Sequence, residues 1–124
     1  MGNIIEERDR NGIRITCSDA QWTSHIALNH SIMTKNVDAV RETIVDPDYI
    51  FEESHDSEPP LDERRIYTKE VTTATYHTKI PHTHVVVSIC GGTGEVITAY
   101  PAKNPRSGSS KGDALYVAEG KPTI

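Results

Sequence analysis

Two alternating apolar stretches around a glycine cluster constrain this chain more than any other feature. His84 to Cys90 and Glu95 to Tyr100 flank Gly91-Gly92-Thr93-Gly94. Side chains alternate across a strand, and glycine supplies the positive φ angles of a tight connection. The stretch therefore predicts an antiparallel hairpin. Two further strands are expected before it, over Asp48–Glu53 (with Tyr49-Ile50-Phe51) and Arg64–Val71. Between them, Ser54 to Glu63 is acidic and broken by Pro59-Pro60, which reads as an exposed loop. Thr72 to Thr83 fits either a hairpin extension or a loop.

The first third reads differently. Gly12-Ile13-Arg14-Ile15-Thr16 alternates as a short strand. Ser18 or Asp19 then caps a helix running through Trp22, Ile26 and His30, with Trp22, Ile26 and Asn29 on one face. Asn36 caps a second helix carrying Val37, Val40, Arg41 and Ile44, which Pro47 ends. Helices before strands predict an α+β fold, with N-terminal helices packed on a roughly four-stranded antiparallel sheet. Residues 1–11 are expected to be a flexible N-terminus, 12–102 the folded domain, and 103–124 a flexible tail rich in Pro, Gly, Ser and Lys.

A chain of 124 residues fits one domain. No apolar run is long enough to span a bilayer, and the N-terminus lacks the layout of a secretory signal. Cys17 and Cys90 form no CxxC pair and read as two buried thiols, which points to a cytoplasm. The net charge of −5 opposes nucleic-acid binding, but it is unevenly spread. Residues 1–63 carry 14 acids and 5 bases, a balance of −9; residues 64–124 carry 4 acids and 8 bases, a balance of +4. A basic half can hold a phosphate on an acidic molecule, because the local field governs the encounter.

Alternation places Ile66, Val85, Val87, Ile89, Ile97 and Ala99 inward. Arg65, Tyr67, Lys69, His84, Ser88, Thr98 and Tyr100 then share the outer face. Cations, hydroxyls and an imidazole on one face suit a phosphodiester, although a solvated sheet face has the same pattern. His25 and His30 lie five residues apart on the first helix and can flank a groove at its C-terminal end. His77, His82 and His84 permit a metal site only weakly, since no carboxylate or Cys partner accompanies them. The glycine turn lacks the Lys-Ser/Thr of a phosphate loop, and no Gly-x-Ser-x-Gly elbow is present.

The order of these pieces is itself informative. His25-Ile26-x-x-x-His30, the exit Ile44-Val45-Asp46-Pro47, Tyr49-Ile50-Phe51, Arg65-Ile66-Tyr67-Thr68-Lys69, His84-Val85-Val86-Val87 and Val96-Ile97-Thr98-Ala99-Tyr100 follow one another. Together they resemble the phage-associated branch of the barnase–EndoU–colicin–RelE-like nucleases, over about residues 15–102. The resemblance implies helices on a four-stranded antiparallel sheet and metal-independent cleavage of RNA, with no cofactor. By it, His25, His30, Arg65, Tyr67 and Thr98 are catalytic, and Lys69, His84 and Tyr100 hold substrate. Asn29 stands where the family often has a basic residue, and the acidic 46–63 segment is unusual for a nuclease. The expected partners are RNA and, for a toxin, an antitoxin or immunity protein with an acidic surface. The expected chemistry is attack of the 2′-hydroxyl on phosphorus to give a 2′,3′-cyclic phosphate, with histidine moving the protons and Arg65 or Lys69 offsetting charge. The alternative is a module that binds RNA or protein on the same face without cutting.

Overall fold

The computed structural model describes residues 2–53, 63–106 and 110–124. The predicted hairpin is present as β5 (His82–Cys90) and β6 (Thr93–Ala102), antiparallel from Cys90↔Thr93 to His82↔Ala102. Gly91 and Gly92 alone make the connection, at φ 63° and 83°. Positive φ at both central residues matches a two-residue hairpin turn, whose twist suits the flanking strands.

Around this hairpin the expected four-stranded antiparallel sheet does not form. The strands are instead β1 (Asn3–Arg8), β2 (Arg14–Ser18), β3 (Tyr49–Glu53), β4 (Glu63–Glu70), β5, β6 and β7 (Ser110–Val117). They build one seven-stranded mixed sheet in the order β1-β2-β6-β5-β4-β3-β7. The pair β2–β6 is parallel and the other pairs are antiparallel. Both chain ends, expected to be loose, supply the edge strands β1 and β7. The exposed loop expected over 54–63 lies outside the described residues, apart from Glu63, which opens β4. The ambiguous stretch resolves into turns up to Ile80, then the start of β5.

The helices are short. The first helical stretch, residues 19–29, opens with a turn over Asp19–Gln21 capped by the Ser18 hydroxyl, which accepts from the Gln21 N–H. It widens into a π-helix over Trp22–Ile26 and closes with a turn over Ala27–Asn29. A 3-10 turn, Ser31–Lys35, leads to the second helix, Val37–Val45. Trp22, Ile26, Val40 and Ile44 are buried against Ile5, Ile15, Val85, Val87, Val96 and Ala99, so both helices pack on one face.

That face is concave. Arg10, beyond β1, lays its guanidinium 3.9 Å from the ring centroid of Tyr116 on β7, the strand at the opposite edge. The Tyr67 hydroxyl on β4 donates to the Asp9 carboxylate at 2.6 Å, and Asp9 also accepts from the backbone of Asn11 and Ile13. The same carboxylate thus closes the β1–β2 turn and ties it across the curl. No described helix is long and apolar enough to cross a membrane.

Candidate functional site

The register separates the residues that alternation had grouped on one face. Tyr67 pairs with Val85, and both belong to the helix-side core, with Tyr67 fully buried. Arg65 and Lys69 share that face with Tyr67. Ile66, expected inward, points the other way beside Phe51 and Val86. On β6 a bulge opposite Val86 and Val87 shifts the alternation, so Val96 and Ala99 face the core while Ile97 stays half-buried. The Ile97 carbonyl accepts from the Gln21 amide at 2.8 Å. The first helix therefore takes over the edge of β6 that β2, pairing only Thr93 to Glu95, leaves open.

Three of the expected site residues are thereby assigned to structure. Tyr67 is a buried strut to Asp9, and burial raises its hydroxyl pKa further above neutrality, as does the Asp9 carboxylate. Arg65 donates to Glu63. The Lys69 ammonium lies 3.3 Å from Asp46, 3.8 Å from Asp48 and 4.0 Å from Glu42. Its charge is spent between β4 and the exit of the second helix, which leaves little for a phosphate.

The other residues do meet, on the opposite face. His30 ends the first helix, and its ring centroid lies 5.6 Å from that of Tyr100. Tyr100 lies 5.4 Å from His84, its cross-strand partner. Thr98 is two residues before Tyr100 on the same side, half-buried. His84 is 1% exposed, and its Nε2–H donates to the Asn104 carbonyl at 2.8 Å. Burial lowers its pKa to about 4, so it is a neutral imidazole at neutral pH that buttresses Tyr100 and does not reach substrate. Burial raises the Tyr100 hydroxyl, and the Glu53 carboxylate pushes it the same way, so Tyr100 keeps its proton. His25 sits in the π-helical turn, exposed.

Sequence reasoning missed two members of this face. Glu53 closes β3 with its side chain 14% exposed, and its carboxylate lies 3.9 Å from the Arg64 guanidinium on β4. In the sequence Glu53 reads as the end of a strand running into an acidic loop, and Arg64 as the first residue of the next strand. Only the register of β3 against β4 puts both on the face that carries Tyr100, where the Glu53 carboxylate acts on the Tyr100 hydroxyl. Farther along, Arg106 lies over the Phe51 ring at 4.8 Å, and Tyr49 donates to the Pro122 carbonyl at 2.6 Å. The chain beyond β6 thus covers the β3 end of the face.

Among the described residues no group of three or more His, Cys, Asp or Glu side chains comes together to hold a metal. His77 instead pairs with Glu70 at 2.8 Å. Both cysteines are free; Cys17 is buried as expected, whereas Cys90 is exposed at the hairpin turn. Compared with family models, with curated proteins and with solved structures, the chain matches none.

Proposed function

We propose that this protein is a metal-independent endoribonuclease whose centre is His30 and Tyr100, with Arg64 and Glu53 on the same face. The observation that carries the reading is the meeting of His30, at the end of the first helix, with Tyr100 of β6. An imidazole and a protonated phenol, both half-buried, are thereby set side by side. In the reaction the RNA 2′-oxygen attacks the adjacent phosphorus and loses its proton to a base. The bond from phosphorus to the 5′-oxygen breaks, and that oxygen receives a proton. Imidazole suits proton movement near neutrality. Tyr100, held protonated, donates to a phosphoryl or leaving oxygen, and Arg64 offsets charge growing on phosphorus. Glu53 orients that guanidinium. Thr98 adds a hydroxyl to the same side.

This reading keeps RNA as the substrate and a cytoplasm as the setting. A toxin-like enzyme of this kind calls for an antitoxin or immunity protein, whose acidic surface would cover the Arg64 side of the face. The test is cleavage of RNA in EDTA by the wild type, His30→Ala, Tyr100→Phe and His25→Ala. The expected products end in cyclic phosphate. His30→Ala loses about 10²–10⁴ in rate, as removal of an acid–base group does, and His25→Ala cuts nearly as well as the wild type. Cleavage untouched by His30→Ala rules out this centre. RNA binding without any cleavage by the wild type would identify a non-catalytic module instead.

A further inference from the structure

We propose that the groove between the 3-10 turn Ser31–Lys35 and the loop carrying Thr75 holds the single-stranded RNA segment that flanks the scissile phosphate. The inference rests on the ribonuclease reading and names the subsite of that centre. The groove is a shallow, open depression of about 420 Å³ lined by the exposed residues Ser31, Ile32, Thr34, Lys35 and Thr75. It begins at the residue that follows His30. Its volume lies in the range of sites that take a nucleotide-sized ligand.

The two walls are fixed to each other by one side chain. Asn36, 3% exposed, donates from its amide nitrogen to the Ile32 carbonyl and to the Thr75 hydroxyl oxygen, both at 2.8 Å. Its amide oxygen accepts from the Thr75 N–H at 2.9 Å. A buried amide with these contacts holds the groove open before any ligand arrives, which lowers the ordering cost of binding. Because the Thr75 oxygen accepts from Asn36, its own hydroxyl proton is left to donate into the groove.

The lining suits a nucleotide chain. Lys35 is exposed and has no ion-pair partner among the described residues, unlike Lys69 and Lys121, which lie against carboxylates. An ammonium not already neutralised is available to a phosphate. It also supplies positive charge in the half of the chain that carries −9. The hydroxyls of Ser31, Thr34 and Thr75 can bond ribose, phosphate or base edges. Ile32, 44% exposed, offers apolar surface to a base. Recognition of single-stranded RNA draws on this mixture of apolar contact, hydrogen bonding and backbone charge.

The probe is a 2′-O-methyl hexanucleotide, which lacks the attacking hydroxyl and binds without being cut. Fluorescence anisotropy across a salt series compares the wild type with Lys35→Ala, Lys35→Arg and Thr34→Val. Lys35→Ala is expected to weaken binding about fivefold and to flatten the salt dependence by about 0.7, the share of one phosphate contact on a single strand. Lys35→Arg restores both, and Thr34→Val weakens binding without changing the salt slope. On cleavable RNA, Lys35→Ala raises KM and leaves kcat unchanged. Absence of wild-type binding, or equal affinity and salt slope for Lys35→Ala, overturns the groove assignment. Loss of the His30 dependence of cleavage with the Lys35 effects intact overturns the reaction centre alone, so the two failures are distinguishable.

Discussion

The imidazole of His84 carries its proton on Nε2, because that nitrogen faces the Asn104 carbonyl and a carbonyl only accepts. Among the described residues the Nδ1 atom is buried with no partner. A second proton there is opposed by burial, so the native pKa falls to about 4 from an ordinary 6.5. The unfolded chain binds that proton more readily, so the contribution of His84 to stability is fully present above pH 6.5. It declines as the pH falls below 6.5 and is gone below about 4. Urea unfolding of the wild type and His84→Gln should therefore diverge on acidification. The wild type is expected to lose roughly 2–3 kcal/mol more than the variant over that window, at about 1.4 kcal/mol per pKa unit. Parallel pH dependence in the two proteins would contradict a buried neutral imidazole. At this scale the sequence was partly legible. His84, Thr98 and Tyr100 stand on one face as alternation suggested, and His30 reaches Tyr100 from the helix end, a contact its spacing along the helix does not predict. Arg65, Tyr67 and Lys69 do not, because a residue's face depends on the register of its strand, and a Tyr that finds a buried carboxylate such as Asp9 can join the core.

The elements that were legible are those with many buried positions. The β5–β6 hairpin, apart from the bulge at Ile97, and the helix Val37–Val45, flanked by Asn36 and Pro47, form where their apolar residues are densest. The edge strands were not legible, since each buries little. In β1 only Ile5 is fully buried, and among the described residues of β7 Tyr116 alone packs against the core, partly buried. Their formation is decided by pairing with β2 and β3, which no local pattern encodes. Gly94 shows the same dependence on neighbours. Its sequence context places it in the turn, yet it lies within β6, between Ile15 of β2 and Ile89 of β5. A Cβ there would come within 2.9 Å of the Val87 side chain and 3.2 Å of the Ile15 side chain. Gly94→Ala should cost about 1–3 kcal/mol through overpacking where β2 and β6 approach, measured as a lower urea midpoint. A midpoint equal to that of the wild type would show that the parallel pair has slack.

For the molecule as a whole, the curl of the sheet makes the two ends of the chain structural. β7 pairs with β3, Arg106 donates to the Ile124 carbonyl at 3.0 Å, and Tyr49 holds Pro122. A chain ending after Arg106 should lose cooperative thermal unfolding by circular dichroism, because β3 becomes a bare edge and the Phe51 face loses its cover. Retention of a sharp transition at the wild-type temperature would restore the tail to the dispensable role its composition suggests. The parallel β2–β6 pair has a consequence in time as well as space. Thr16 waits for Glu95, so a ribosome releases the N-terminal hairpin long before the strand that completes it. Until then β2 presents an unpaired edge, the feature that invites a strand from another nascent chain. Closure across so long a loop also slows folding. The order of synthesis thus sets a window of self-association, and faster translation through residues 17–95 would shorten it.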